Sequence, residues 1–331
     1  MADIALDVHI SPERLLDDLR SDVRLGMTAT PKWISPKWFY DARGSELFEQ
    51  ITELPEYYPT RTERGLIETH AYDVAERTNA AILVELGSGS SEKTRLLLNA
   101  GIKHGSLRKY VPQDVSPTAL EGAIEVIARE HPGLEIQGIV SDFTDTLQNL
   151  PADGSRTIAF LGGTLGNLIP EERALFLADI AQALIAGEFL LLGVGLVVEE
   201  SVVVPAYDDA AGVTAQFNAN VLSVLNERLN ANFDPQQFEH VALWNAEAEW
   251  IEMRLRARTA QDIRIEDLDL DVHFDEGEEL RTEISAKFRE KGIEAELVDA
   301  GFRVDEFWTD PESRFALILA SRTSLGQRDD R

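Results

Sequence analysis

The chain has 331 residues, a length that favours one large α/β domain or one domain interrupted by a substantial insertion. Its 31 basic and 59 acidic residues give a formal net charge of -28, which disfavours binding to nucleic acid or to anionic membranes. Cysteine is absent from the sequence, so disulfides and thiolate zinc sites are excluded, and we expect a reduced, cytoplasmic location.

The N-terminal part of the chain predicts helices rather than a targeting segment. Residues 1–75 are expected to form a helical section, and the start of the chain lacks the basic residues and the apolar run of a signal peptide. The most apolar stretch, Phe189 to Val198, is about ten residues long, whereas a membrane-spanning helix needs roughly twenty. We therefore expect no membrane partner.

From residue 76 to residue 200, short apolar runs alternate with helical patterns. The runs predict strands over Ala81–Leu86, Lys109–Pro112, Ile136–Val140, Thr157–Leu161 and Phe189–Gly193. The helical patterns cover Glu92–Leu98, Pro117–Glu130 and Glu171–Leu184. Continuous apolar strands separated by helices indicate a parallel sheet that is covered on both faces.

The alternation stops after residue 200 and returns near the C-terminus. A helical pattern over Ser201–Leu229 precedes three extended segments, Glu249–Arg258, Ile263–Phe274 and Glu283–Phe288. One more helix, over Gly292–Ala300, leads to two closing strands, Arg303–Trp308 and Arg314–Ala320. The predicted fold class is therefore α/β. A Rossmann-like core covers 76–200 and 286–322, a smaller α+β lobe covers 201–285, and residues 323–331 form a tail.

A glycine-rich turn follows the first strand of this core. In Glu85-Leu86-Gly87-Ser88-Gly89, a strand leads into Gly-x-Gly and then into a helix, where backbone N–H groups can approach a nucleoside cofactor closely. A tight turn without a ligand is the alternative interpretation. Glu92 occupies the position of the third glycine of the dinucleotide fingerprint, which disfavours a nicotinamide oxidoreductase.

Polar residues follow the next strands in the same way. Asp114 ends the second strand, at a suitable distance from the glycines to accept hydrogen bonds from ribose hydroxyls. Asp142 and Phe143 follow the third strand and could contact an adenine, although a capping turn and an ordinary loop acid would look the same. The fourth strand leads into Gly162-Gly163-Thr164-Leu165-Gly166-Asn167, where the Asn167 amide suits an amino acid's ammonium and carboxylate. A glycine-rich loop capped by asparagine is the alternative there.

The six histidines predict no metal site, because no two of them have the spacing of ligands. We expect a monomer that binds small molecules.

Several long and uncommon segments occur along the chain: Pro36–Asp41, Leu54–Glu63, Glu85–Gly89, Ala206–Thr214 and Arg281–Ser285. By these segments the chain resembles the L-histidine Nα-methyltransferases of ergothioneine biosynthesis, which make trimethylhistidine (hercynine). The likeness runs from about Leu19 to Arg322. The resemblance implies a Rossmann-like methyltransferase with S-adenosylmethionine as its cofactor and histidine as its substrate.

The resemblance also implies a role for individual residues. Those expected at the cofactor are Tyr40, Gly87, Lys93, Asp114, Asp142 and Phe143. Those expected around the backbone groups of the amino acid are Tyr57, Gly162, Asn167, Tyr207 and Thr214, with Asn167 and Tyr207 on the carboxylate. Glu283 and Ser285 are expected to bind the imidazole, with Met253 packed beside it. Tyr40 and Asn167 are the implied catalytic residues.

The segment Gly193–Val198 departs from the family pattern, because the resemblance implies an aspartate and a lysine there and both are missing. This departure puts the positioning of the lobe in doubt more than the identity of the cofactor. Two alternatives remain open. One is the same fold acting on a different amino acid, such as tryptophan. The other is a protein that binds S-adenosylmethionine or an amino acid without catalysis.

Overall fold

The computed structural model of the protein describes residues 4–89, 93–142, 147 and 150–324. Its strands in these ranges are β1 (Ile4–Val8), β2 (Lys32–Trp33), β3 (Ile82–Leu86), β4 (Lys109–Asp114), β5 (Glu135–Val140), β6 (Arg156–Phe160), β7 (Phe189–Gly195), β8 (Phe238–Asn245), β9 (Trp250–Ala257), β10 (Gln261–Ile265), β11 (Leu270–Phe274), β12 (Glu279–Ala286), β13 (Phe302–Thr309) and β14 (Phe315–Arg322). Its α-helices there are α1 (Pro12–Thr28), α2 (Ala42–Thr52), α3 (Tyr58–Thr78), α4 (Thr94–His104), α5 (Pro117–Glu130), α6 (Pro170–Ala183), α7 (Glu200–Tyr207), α8 (Val213–Leu229) and α9 (Glu290–Asp299). No helix in the part of the chain described is long and apolar enough to cross a membrane.

Eight strands form one large sheet in the order β1-β5-β4-β3-β6-β7-β14-β13. The first six are parallel to their neighbours, whereas β14 is antiparallel to both β7 and β13. All five residues of β3 and of β6 are buried, as expected for strands with both faces covered. This arrangement confirms the predicted α/β, Rossmann-like fold class. The strand order reverses beside β3, and in such sheets ligands bind beyond the carboxyl ends of the strands at this reversal.

The edge strand β1 is a departure from the helical section predicted for residues 1–75. It pairs in parallel with β5, from Ile4 opposite Ile136 to Val8 opposite Val140. Leu6 and Val8 remain 36% and 59% exposed. Main-chain hydrogen bonds rather than burial therefore hold this strand.

The chain divides into two compact units. The first unit contains Met1–Ile10, Arg61–Leu196 and Phe288–Arg331 and holds the large sheet. The second unit contains Ser11–Thr60 and Val197–Lys287. This division differs from the expected boundaries mainly near the N-terminus, because residues 11–60 group with the inserted segment rather than forming a section of their own.

The second unit is built on a four-stranded sheet in the order β2-β12-β9-β8. Helix α8 supplies fully buried apolar side chains to its core, among them Val221, Leu222 and Leu225. The single extended segment expected over Ile263–Phe274 is wrong. Strands β10 and β11 are antiparallel partners instead, joined by a short 3-10 helix that ends at Asp269 with a left-handed φ of 47°. The acidic residues at this turn interrupt the apolar pattern only briefly, and the pattern therefore predicted one extended segment instead of two strands.

Candidate active site

In the first unit, the glycine turn after β3 is anchored by Glu85. The carboxylate of Glu85 is buried and accepts hydrogen bonds from the hydroxyls of Thr94, in α4, and Tyr110, in β4. Burial raises the pKa of Glu85 to about 7, and the two hydroxyl donors only partly oppose this shift. The carboxyl group therefore ties β3 to both elements that follow the turn.

The turn contains Gly87 and Gly89, and it brings Gly89 against Asp114. Both glycines have left-handed backbone angles, with φ of 66° and 49°, which residues with a Cβ rarely adopt. The N–H of Gly89 donates to Asp114 Oδ2 at 2.9 Å, and the N–H of Ser116 donates to Oδ1 at 3.0 Å. Burial raises the pKa of Asp114 despite these donors. The backbone N–H of Val115 also interacts with this carboxylate, which still has room to accept a hydrogen bond from a ligand hydroxyl.

Asp142 follows the end of β5, beside a buried polar contact. The side-chain amide of Gln113 donates to Ser141 Oγ at 2.5 Å, and the Ser141 N–H donates to the carbonyl of Asp114 at 3.1 Å. These bonds fix the end of β5 against the end of β4, so that Asp114 and Asp142 belong to the same edge of the sheet. Phe143 and Glu92 lie outside the described residues.

Glu63, which the sequence did not single out, connects two of the expected residues. Its side chain is completely buried and pairs with the ammonium of Lys93. It also accepts a hydrogen bond from the N–H of Gly162 at 2.7 Å. The oxygen that accepts this bond, Oε1, also lies beside Gly193, where a Cβ would be only 2.0 Å from it. The only signal in the sequence is the position of Glu63 in the segment Leu54–Glu63, which carries the resemblance.

Gly162 lies two residues before the short 3-10 helix Thr164–Asn167 that follows β6, and Asn167 is the last residue of this helix. The Thr164 hydroxyl donates to the carbonyl of Leu161 at 3.1 Å and closes the turn at its start. Six expected residues are thus collected where β3 to β6 end or shortly beyond, all of them in the first unit. They are Gly87, Lys93, Asp114, Asp142, Gly162 and Asn167.

In the second unit, aromatic rings connect three of the expected tyrosines. Tyr40 packs edge-on against Phe48 and Phe217, with ring centroids 5.6 Å apart in both pairs. Phe48 lies 6.3 Å from Tyr57, which in turn lies 6.2 Å from Tyr207. Tyr57 and Tyr207 are buried, whereas Tyr40 is 43% exposed. The rings therefore form a continuous series of aromatic contacts from Tyr40 through Phe48 and Tyr57 to Tyr207.

The hydroxyl of Tyr207 belongs to a buried cluster with Ser285 and Lys287. Tyr207 Oη lies 2.8 Å from Ser285 Oγ, and Lys287 Nζ donates to both oxygens, also at 2.8 Å. Burial raises the pKa of Tyr207 and lowers that of Lys287. The sequence missed Lys287, although it continues the alternation of Glu283 and Ser285 along the strand.

His240 forms a hydrogen bond with the backbone of Tyr207, whose hydroxyl belongs to this cluster. His240 Nε2 lies 2.8 Å from the Tyr207 carbonyl oxygen, and Nδ1 lies 2.8 Å from the side-chain nitrogen of Asn218. A carbonyl only accepts and an amide nitrogen only donates, so the imidazole is neutral, with its hydrogen on Nε2. Burial accordingly lowers the pKa of His240.

Glu283, Ser285 and Met253 occupy one face of the smaller sheet. Met253 is directly opposite Glu283 in the antiparallel pair β9 and β12, and Ser285 follows Glu283 by two residues. Opposed residues on neighbouring strands point to the same side, as do residues two apart on one strand. The structure thus brings together the three residues expected at the imidazole. Thr214 is buried at the start of α8, where its N–H donates to Asp209 Oδ1 at 2.7 Å.

The segment that departs from the family pattern forms an ordinary strand end. Gly193 and Gly195 belong to β7, and the carbonyl of Gly195 accepts a hydrogen bond from the N–H of Phe288 at 2.9 Å. Leu196 pairs with Phe288 as an isolated bridge. Backbone bonds therefore hold this segment without an aspartate or a lysine.

Comparison with known proteins gives a consistent assignment. A family model described as histidine-specific methyltransferase, SAM-dependent, matches residues 19–322. A histidine N-alpha-methyltransferase of Mycolicibacterium smegmatis is 51% identical over 319 residues, covering 96% of this chain and 99% of the relative. The protein of the same name from Mycobacterium tuberculosis is 50% identical over 304 residues, covering 92% and 95%. Ergothioneine biosynthesis protein 1 of Neurospora crassa is 32% identical over 203 residues, which are 60% of this chain and 23% of that protein.

Proposed function

The chain belongs to the histidine-specific, S-adenosylmethionine-dependent methyltransferases, and on this premise we propose that it methylates the α-amino nitrogen of L-histidine. The product would be trimethylhistidine (hercynine), made by up to three transfers. The likeness to the Neurospora crassa protein, whose name refers to ergothioneine biosynthesis, supports a place in that route.

The observation that carries the choice of histidine is the common face of Glu283, Ser285 and Met253. A carboxylate there would accept a hydrogen bond from an imidazole N–H, and the Ser285 hydroxyl would form a second hydrogen bond with the ring. Met253 is buried and would pack beside the ring. A substrate without such a ring would leave buried polar groups unpaired, which discriminates strongly between substrates.

The residues of the first unit fit S-adenosylmethionine. Asp114 keeps lone pairs for ribose hydroxyls while backbone N–H groups hold its carboxylate in place. Because Gly87 has no Cβ, a ligand can approach the backbone of the turn closely at this position. Lys93 and Asp142 would complete the cofactor contacts of this unit, and the family resemblance also assigns Tyr40 and Phe143 to the cofactor. When bound, S-adenosylmethionine would supply a methyl group on a sulfonium, which an uncharged amine would accept as the S–CH3 bond breaks and the sulfur leaves as a neutral thioether.

The chain's own task in this reaction is alignment, because the displacement requires no covalent intermediate on the protein. Tyr207 would donate a hydrogen bond to the α-carboxylate, while Tyr57 and Thr214 would flank the amino group. In the first unit, Gly162 and Asn167 would provide further polar contacts for the amino acid. Tyr40 is partly exposed, so its hydroxyl could pass the proton lost by the α-ammonium to water.

The test is mass spectrometry of a reaction that contains the purified protein, S-adenosylmethionine and an equimolar panel of the twenty amino acids. We expect gains of one, two and three methyl groups on histidine alone. Methylation of tryptophan or another amino acid would keep the reaction and overturn the imidazole assignment. Binding of the cofactor without any product would support the non-catalytic alternative.

A matched pair of variants tests the imidazole contact. Glu283→Ala should raise the KM for histidine roughly 10- to 100-fold, because a hydrogen bond to a charged group is lost. Its affinity for S-adenosylmethionine, measured by titration calorimetry, should stay within about twofold. Glu279→Ala changes a carboxylate of the same strand that pairs instead with Arg254 and Arg256, and it serves as the control. An equal loss of histidine and cofactor affinity in Glu283→Ala would refute the proposed role.

A further inference from the structure

Lys287 donates hydrogen bonds to the hydroxyl oxygens of both Tyr207 and Ser285. The residue is only 6% exposed, yet its ammonium reaches both hydroxyl oxygens at 2.8 Å. The two oxygens are also 2.8 Å from each other. These three polar atoms therefore form a closed triangle of hydrogen bonds inside the second unit.

The chemistry of lysine fixes the direction of two sides of this triangle. An ammonium donates up to three hydrogen bonds and accepts none, so both hydroxyl oxygens must accept from Lys287. One hydroxyl hydrogen then occupies the bond between Tyr207 and Ser285. The other hydroxyl hydrogen is left to donate outside the triangle. Lys287 thus makes the pair a hydrogen-bond donor towards a ligand.

The charge of Lys287 adds a second preference. A buried cation is costly unless a negative charge lies close to it. Burial lowers the pKa of Lys287, while electrostatic interactions with Tyr58 and with the charge of Glu283 act in the opposite direction. An anionic group of a ligand beside Tyr207 would add a second compensating charge.

Resting on the proposed function, we propose that Lys287 is a positioning residue for the amino-acid substrate. It orients the Tyr207–Ser285 pair so that one hydroxyl donates to the substrate, and its charge favours the α-carboxylate. Because every amino acid carries this carboxylate, the role of Lys287 does not depend on which side chain the enzyme accepts.

The experiment measures histidine binding by titration calorimetry in the presence of S-adenosylhomocysteine, for the wild type and for Lys287→Met. Methionine has a similar length but neither charge nor N–H donors, so the cavity stays filled. We expect histidine affinity to fall roughly 10- to 100-fold, with S-adenosylhomocysteine affinity within about twofold of the wild type. Lys109→Met is the control, since Lys109 is equally buried but lies at the start of β4, at the opposite end from Asp114.

A double-variant cycle separates positioning from a general structural effect. In the Ser285→Ala background, the change of Lys287 to methionine should cost much less histidine affinity than it does in the wild type. Histidinol, which lacks the carboxylate, should lose less affinity than histidine in Lys287→Met. An equal cost in both backgrounds, or an equal loss for both ligands, would overturn the proposal. If Lys287→Met fails to fold, Lys287→Gln, which keeps an N–H donor without the charge, takes its place.

A failure of the proposed function can be distinguished from a failure of the role proposed for Lys287. Turnover of histidine by the wild type tests that function, whereas the affinity ratios test Lys287. If the wild type methylates a different amino acid, the titrations are carried out with that amino acid and its amino alcohol. If it methylates none, binding of histidine still decides whether Lys287 has the role assigned to it.

Discussion

Substitution of Gly193 by alanine tests how closely the protein packs around the buried carboxylate of Glu63. In Gly193→Ala, the new Cβ would lie 2.0 Å from Glu63 Oε1, whereas an ordinary contact begins near 3.4 Å. The carboxylate must therefore move by more than an ångström, and the 2.7 Å hydrogen bond from the Gly162 N–H is lost. A hydrogen bond to a buried charged group contributes about 2 kcal/mol, so we expect the free energy of unfolding to fall by about that amount. Urea denaturation at neutral pH measures it.

Two further variants make this test specific. Gly65 lies in α3, two residues after Glu63, and a Cβ there would meet nothing within 4 Å. Gly65→Ala should therefore raise the free energy of unfolding by up to about 1 kcal/mol through helix propensity. In the Glu63→Ala background, Gly193→Ala should cost less than about 1 kcal/mol, because the group it displaces is gone. The reasoning fails if Gly193→Ala costs the same with and without the Glu63 carboxylate.

Three other predictions concern titratable groups. Asp114→Asn should weaken S-adenosylmethionine binding at least about tenfold in calorimetry, because one charged acceptor is lost; unchanged affinity would refute the ribose contact. The pKa of Glu85 is raised from 4.5 to about 7, so the folded state holds a proton that the unfolded state releases. Between pH 5 and pH 8 the wild type should therefore lose about 2 kcal/mol of unfolding free energy relative to Glu85→Gln, and parallel pH curves would contradict this. His240 has a lowered pKa, so its unfolded form gains a proton first as the pH falls below 6.5. The melting temperature of the wild type should then fall more steeply with acidity than that of His240→Gln, and equal slopes would exclude the neutral imidazole.

The parallel core could be predicted from the sequence because its strands are buried on both faces. Such strands consist of continuous apolar residues, as in β3 and β6, and each is followed by a polar or glycine-rich turn. The same pattern located Asp114 and Gly162, since the ends of parallel strands share one edge of the sheet. Strand β1 lacks this signal, because its side chains are largely exposed.

Residues that are distant in the sequence and come into contact only in the folded protein could not be identified from these strand patterns. Glu63 and Gly162 are 99 residues apart, and the hydrogen bond between them joins α3 to the turn after β6. Lys287 and Tyr207 are 80 residues apart, and a lysine after a strand ordinarily reaches solvent. The resemblance marked the segments that contain Glu63 and Tyr207, but burial and hydrogen bonding show what these side chains do.

The edge position of β1 has a consequence for any shortened form of the chain. Strand β5 is covered on one side only by this five-residue strand, which is held mainly through its main chain. Removal of the first ten residues would leave unpaired the N–H and carbonyl groups of β5 that face β1, whereas those that face β4 would keep their partners. Such an edge recruits strands from other molecules, so the shortened protein would be prone to aggregate even with every ligand-binding residue intact.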